Sequence, residues 1–481
     1  MRVATRSAPR GEESDRHNND QYTAANGHDD AEHESDIHPL AGQGFIIGQW
    51  VRSDRRRYRF GCWARLGCCA RFGFCARLGA DPRFWRRGIL IGRPHRLPAG
   101  DAEFPTRIER GFTVRAFPHG HESSKHMGRS PGIPYRWHVT FLSPLVIAHR
   151  GASGYRAEHT RSAYLLAFEQ GADAVEPDLV ATKDRVLVIR HENEISGTTD
   201  VGSLPQFADR RTTKVIDGQS LTGWFTEDFT WAELATLRAT ERLPRVRPGN
   251  TKFPAERILR LVDLLELLEV APLNALGGRT GMVAEIKHAS YFASIGLPLD
   301  ELFAAELGAA GWSDDDRLTV ECFEETALQQ IRERGIRARY VFLVDAEGAP
   351  ADQVAKWGTA ARSYESYLTV EGMAALAQCV DGISVDKHIL QATDASGSAA
   401  GATLVARAHA AGLSVFCWTL RAENIFLPTS LRLGASERNF GDWMTEFLEL
   451  MGLGVDGVFS DQPDLAIEAR TALLETAGET N

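Results

Sequence analysis

The sequence predicts an α/β fold, a closed (β/α)8 TIM barrel spanning residues 141–481, and three observations carry that expectation. From Leu145 onward, short apolar runs of strand length alternate with longer segments whose apolar residues recur at helical spacing. Eight such pairs can be counted, the number that closes a parallel sheet on itself. No Gly-rich phosphate fingerprint follows the first run, which argues against an open doubly wound sheet.

Leu145 to His149 is the first predicted strand. Thr160 is placed to cap the next helix, with Tyr164, Leu165, Ala167 and Phe168 on one face and Gly171 as its stop. Ala174 to Leu179 is the second strand. Val186 to His191 is also strand-like, but the six residues between are too few for a parallel crossover. The two are therefore expected to pair as a hairpin through Lys183-Asp184, returning His191 beside Glu176 and Asp178. Residues 196–252 break the rhythm with Gly, Thr, Asp, Arg and Pro, and hold one short helix from Trp231 to Arg238. They read as an insertion at the site end.

Strict alternation follows. Helices are expected at Ala255–Val270, Leu299–Ala310, Glu325–Arg334, Val370–Cys379, Ala402–Ala411, Asp442–Met451 and Pro463–Leu474. Strands are expected at Met282–Ile286, Leu318–Cys322, Ala338–Val344, Gly382–Val385, Ser414–Trp418 and Val455–Ser460.

The first 140 residues are of another kind. Residues 1 to about 44 are polar and read as disordered. Between 50 and 100 a six-residue unit recurs, Trp63-Ala-Arg-Leu-Gly, Cys69-Ala-Arg-Phe-Gly and Cys75-Ala-Arg-Leu-Gly. That period yields no clean helical or strand face. Arginine is abundant up to residue 140, whereas Lys125 is the lone lysine. This stretch is expected to form no compact domain, and Met127 is an alternative start.

The net charge of -10 argues against a general nucleic-acid binder. No run of 18 apolar residues predicts a membrane span. The N-terminus has no apolar h-region, so a cleaved secretory signal is not expected; export remains compatible with an internal start. Of the seven cysteines, Cys322, Cys379 and Cys417 fall inside apolar patterns and read as buried free thiols.

In such barrels the site lies at the carboxyl ends of the strands. Those ends carry His149-Arg150, then Glu176 and Asp178 two apart on one side of a strand, then Glu285 and Lys287 in the same arrangement, and Glu321. Three carboxylates, Glu176, Asp178 and Glu285, suit one hard divalent cation, Ca²⁺ or Mg²⁺. Arg150 and Lys287 suit phosphate oxygens, the first by a forked pair of bonds and the second as a point charge. His149 and His191 suit general acid and base work near neutrality. Taken singly, each of these residues is more often a structural ion pair; the joint occurrence at successive strand ends is what points to a site. Trp418 either walls the pocket or packs the barrel mouth. Glu158 belongs to the site or favours the adjacent helix start. Asp386 and Asp461 are read as structural.

The motifs His149-Arg-Gly-Ala-Ser-Gly-Tyr-Arg-Ala-Glu-His-Thr160, Glu176-Pro-Asp-Leu-Val180, Arg190-His191, Glu285-Ile-Lys287 and Phe459-Ser-Asp-Gln-Pro463 resemble those of the glycerophosphodiester phosphodiesterase family, in the bacterial branch typified by a periplasmic enzyme. The resemblance runs from about residue 145 to the C-terminus. It implies metal-dependent hydrolysis of a small-molecule glycerophosphodiester to an alcohol and sn-glycerol 3-phosphate. In that reading His149 and His191 are the acid/base pair, Glu176, Asp178 and Glu285 the metal ligands, Arg150 and Lys287 phosphate contacts, and Trp418 the family's Trp-Thr position. Two departures bear on loop rigidity and fine positioning: Ala157 stands where Pro is common, and Glu192 where Asp is usual. The alternatives are a phosphodiesterase for lysophospholipid or polymer diesters, with the insertion setting the choice, and a non-catalytic phosphate-binding relative.

Overall fold

The computed structural model describes residues 143–392 and 400–479. The expectations for residues 1–140 lie outside these.

Eight parallel strands close into a barrel, each followed by a helix on its outer side. β1 (Leu145–His149) leads to α1 (Arg161–Gln170), and β2 (Ala174–Glu176, resuming at Asp178–Ala181) to α2 (Leu261–Glu269). β3 (Gly281–Ile286) and α3 (Leu299–Ala310) follow, then β4 (Leu318–Cys322) and α4 (Glu325–Glu333). β5 (Arg339–Val344) leads to α5 (Val370–Leu376), and β6 (Gly382–Asp386) to α6 (Ala400–Ala411). β7 (Ser414–Leu420) with α7 (Trp443–Gly452) and β8 (Gly457–Ser460) with α8 (Pro463–Glu479) complete the ring. β1 pairs in parallel with both β8 and β2, which seals the barrel.

Local chemistry sets the boundaries. The Thr160 side chain accepts the Ala163 N–H at the start of α1, and Gly171 ends that helix at φ 86°. Pro177 has no N–H to donate, and β2 breaks at that residue. The expected hairpin forms: Asp178–Ala181 pairs antiparallel with Leu187–Ile189.

Two departures from the sequence reading have clear causes. Helix α2 starts at Leu261, not Ala255, because the preceding residues are extended. Leu259 accepts the Ile189 N–H, and Arg260 bridges Val188. The insertion also holds an antiparallel hairpin, Thr212–Ile216 with Gln219–Gly223, turned at Asp217-Gly218.

The alternation of side chains along each strand divides the apolar residues in two. Val146, Ala148, Val175, Met282 and Ala284 join the large cluster that the helices cover. Ile147, Ala174, Val283, Val341, Phe416 and Phe459 form a second cluster inside the barrel, with Leu145 and Trp418 against it. Fully burying a Val, Ile, Met or Phe among them stabilises the fold by about 1.5–3 kcal/mol. The inward set fixes the site. His149 lies two residues beyond Ile147, Glu176 two beyond Ala174, Glu285 two beyond Val283, and Trp418 two beyond Phe416, so these side chains point into the barrel mouth. Among the described residues no helix is long and apolar enough to cross a membrane.

Candidate active site

The chain turns sharply at the end of β1. Arg150 adopts φ 59° and Gly151 φ 80°. A Cβ on Gly151 would lie 2.7 Å from the Ala163 carbonyl carbon, so both conformation and space require glycine there. The turn lets the Arg150 N–H donate to Glu176 Oε2 at 2.8 Å. It also buries the guanidinium, whose Nη1 donates to Glu158 at 3.1 Å and whose Nε lies 3.3 Å from Asp178. These carboxylates outweigh the cost of burial and hold Arg150 charged.

His149 stands 2.6 Å from Asp461, through Nδ1 to Oδ1. The other oxygen, Asp461 Oδ2, accepts from Arg247 at 2.6 Å and from Arg421 at 2.8 Å. Burial opposes ionisation of Asp461, but Arg421, Arg247 and His149 hold its carboxyl well below the usual range. An ionised carboxylate only accepts, so the proton of neutral His149 sits on Nδ1 and the lone pair on Nε2. Burial, helped by the charge of Arg150, pushes His149 down from 6.5 to about 3. Asp461, read from sequence as structural, is therefore tied directly to the first histidine.

His191 returns on the hairpin as expected. Its Nδ1 lies 2.6 Å from Oε1 of the adjacent Glu192, and burial followed by Arg150 and Lys287 lowers it to about 4. Burial would raise Glu192, but the histidine's charge and hydrogen bond bring it to about 2. Neither histidine's Nε2 has a hydrogen-bond partner among the described residues, and neither atom is sealed from solvent.

The carboxylates divide differently from the sequence grouping. Glu176, Glu285 and Glu321 place one oxygen each within 4.8 Å of one another. Asp178 instead faces two cations, Lys287 at 3.2 Å and Arg150, and the ring Nε2 of the fully buried His159 at 2.8 Å, which burial keeps low in proton affinity. Despite burial, Lys287, His191, Arg150 and the hydrogen bond to His159 hold Asp178 well below the usual carboxylate range. Lys287 also pairs with Glu285 at 2.7 Å. Burial raises Glu176, Glu285 and Glu321, to about 7 for Glu285, with neighbouring carboxylates adding to each. Glu176 Oε1 and Glu321 Oε2 are buried with no hydrogen-bond partner among the described residues. Such oxygens fit a divalent cation, which would supply the missing positive charge.

Trp418 packs edge-on against Phe323 at 5.9 Å, and Lys287 lies 6.0 Å from the Phe323 ring. The two aromatics form one wall of the mouth. Cys322 and Cys417 are buried free thiols within the apolar cluster outside the barrel, while Cys379 is partly buried.

Sequence reasoning missed Arg242, Arg247 and His159, and it assigned no role to Glu321. Glu321 was visible as the register partner of Glu285 at the next strand end. The arginines lie in irregular loop and carry no local signature.

The chain matches the glycerophosphoryl diester phosphodiesterase family over residues 149–465. It is 30% identical over 332 residues to glycerophosphodiester phosphodiesterase GDPD6 of Arabidopsis thaliana, covering 66% of this chain and 83% of that one. It is 26% identical over 353 residues to a glycerophosphodiester phosphodiesterase of Treponema pallidum, covering 67% and 91%. Among solved structures, it is similar to an Oleispira antarctica phosphodiesterase in complex with the product sn-glycerol-3-phosphate. That match has 21% identity and a TM-score of 0.44, and covers 68% of this chain and 96% of that one. The extent of the family match and of the Arabidopsis relative place this chain in the glycerophosphoryl diester phosphodiesterase family.

Proposed function

We propose that the protein hydrolyses glycerophosphodiesters to an alcohol and sn-glycerol 3-phosphate, using His149 and His191 as the acid/base pair. The observation that carries this is the pairing at one barrel mouth of two neutral imidazoles, each with Nδ1 on a carboxylate, with two buried cations and three crowded carboxylates. Arg150 and Lys287 grip the phosphodiester oxygens. They are pre-placed by Glu158, Asp178 and Glu285, so binding does not have to order them.

His149 is the base. Its Nε2 lone pair is fixed by the Asp461 bond and takes the proton of the nucleophile, a water or the glycerol 2-hydroxyl. His191 is the acid. Burial, then Arg150 and Lys287, lower its proton affinity in the free protein, and a bound phosphodiester anion offsets both charges, which raises the proton affinity of His191 in the complex. It then gives a proton to the leaving alkoxide. Trp418 and Phe323 flank the glycerol or alcohol moiety.

Glu176 and Glu285 would hold one divalent cation, Ca²⁺ or Mg²⁺, with Glu321 or Asp178 as the third carboxylate. When bound, the cation neutralises charge that builds on the phosphoryl oxygens. The purified chain incubated with glycerophosphocholine and Ca²⁺ or Mg²⁺ should release sn-glycerol 3-phosphate, and a chelator should stop the release. Full activity of both His149→Ala and His191→Ala would refute the assignment.

A further inference from the structure

We propose that the insertion is part of the catalytic apparatus: Arg247 and Arg242 brace His149 and Arg150, each through one buried carboxylate. This rests on the acid/base reading above.

Both braces come from one short stretch. Arg247 Nη2 donates to Asp461, the carboxylate that holds His149, and Arg247 Nε donates to Glu423 at 2.7 Å. Its Nη1 reaches the Ser153 carbonyl at 3.2 Å, in the loop that follows β1. Five residues earlier, Arg242 Nε donates at 2.8 Å to Glu158 Oε2, the oxygen that also accepts from Arg150. Asn250 ties the stretch down, with Nδ2 on Ser153 O at 3.2 Å and on Glu241 at 2.8 Å. Arg247, Asp461, Glu158 and Glu423 are all buried, so these bonds act where water screens them little.

The two arms differ in what they control. Arg247 and Arg421 share Asp461 Oδ2, which leaves Oδ1 directed at His149 Nδ1. Without Arg247, Arg421 is left to hold Asp461 Oδ2, and the carboxylate is oriented less firmly. The Nδ1–H tautomer that leaves Nε2 as the base is then less strictly enforced. Arg242 acts on the cation that meets the phosphate, so its loss loosens substrate grip and leaves the proton transfer in place. Arg247 and Arg242 are positioning residues in this scheme; neither touches the reacting atoms.

The test uses the full chain with glycerophosphocholine and a saturating divalent cation. Arg247→Gln should lower kcat roughly 10–100-fold with KM changed by less than about threefold, the range found for groups that orient a reacting side chain. Arg247→Lys keeps a charge but not the fork, and its kcat should fall between the two. Arg242→Gln should raise KM about tenfold with the smaller effect on kcat. Ring-¹⁵N histidine labelling reads the tautomer without turnover. The His149 signal, assigned by its absence in His149→Gln, should report Nδ1–H in the native protein and a mixed population in Arg247→Gln. Unchanged kcat in both Arg247 variants, or an unchanged His149 tautomer in Arg247→Gln, overturns the inference while an inactive His149→Gln still upholds the acid/base reading. An active His149→Gln instead removes that reading itself.

Discussion

The two histidines face one mouth but are held by opposite means. His149 leans on Asp461, a residue 312 positions away that two guanidiniums pin in a buried pocket. His191 leans on its own neighbour, Glu192, and both are nearer water, with side chains 24% and 41% exposed. The first is oriented by tertiary structure and the second by adjacency in the chain. Their charges are governed differently as well. Burial dominates both and Arg150 lowers both, but His191 is lowered by Lys287 as well, so it feels the full pair that would meet a phosphate, while Asp461 counters the effect at His149. His191 is thus the histidine on which a bound phosphate acts through two cations, whereas His149 shares only Arg150 with it and is anchored by Asp461.

The largest expected effect follows from the fixed member. His149→Ala should lower kcat by roughly 10²–10⁴-fold, the usual worth of a positioned base, and by the same factor for good and poor leaving groups. Steady-state assays with glycerophosphocholine and with glycerol 3-phosphate p-nitrophenyl ester measure this. His191→Ala should match that loss on the choline ester, yet fall by only about tenfold or less on the nitrophenyl ester, whose leaving group needs little protonation. Equal losses on both esters for His191→Ala would erase the distinction between the two histidines.

The carboxylate wall between them comes next. Glu176→Gln and Glu285→Gln should each weaken divalent cation binding by at least the 10–100-fold that loss of a metal-site group typically costs, measured by calorimetric titration. Glu321→Gln and Asp178→Asn sharpen the choice of third ligand. The geometry favours a larger loss for Glu321→Gln, because Asp178 is already engaged by Lys287, Arg150 and His159.

The scaffold was far more legible than the bracing. β1, α3 and β4 fall on the residues expected from apolar spacing and caps, because burial on a barrel strand or helix face leaves a periodic trace. His149, Glu176 and Glu285 were readable for the same reason, since strand parity directs them inward. The start of α2 was not. Residues 255–260 share the apolar character of a helix, but backbone partners on Val188 and Ile189 draw them into an extended path. The hairpin at 212–223 carried an Asp-Gly turn signal, muted because its strands are mostly exposed and lack an apolar face. Asp461, Arg242 and Arg247 gain their meaning from partners 84 to 312 positions distant, and no local pattern encodes that.

The smallest effect concerns stability in acid, where the comparison can be tested without turnover. A histidine held at about 3 when folded and near 6.5 when unfolded takes up its proton first in the unfolded chain. The folded state therefore loses nothing above pH 6.5 and loses stability as pH falls from 6.5 toward 3, by about 1.4 kcal/mol per unit at most. His191 behaves alike until about 4, where the folded protein begins to accept its proton. The buried glutamates titrate in the opposite sense, since their raised values favour the folded state as pH falls, but they are common to wild type and histidine variants. Urea unfolding in chelator at pH 7 and pH 5 should thus show His149→Asn and His191→Asn each losing about 2 kcal/mol less than wild type over that interval. The two should part only near pH 4, with His149→Asn retaining the greater advantage. If His191→Asn gives no relief at pH 5, the more exposed imidazole is already solvated in the free protein, and the substrate effect assigned to it has nothing to act on.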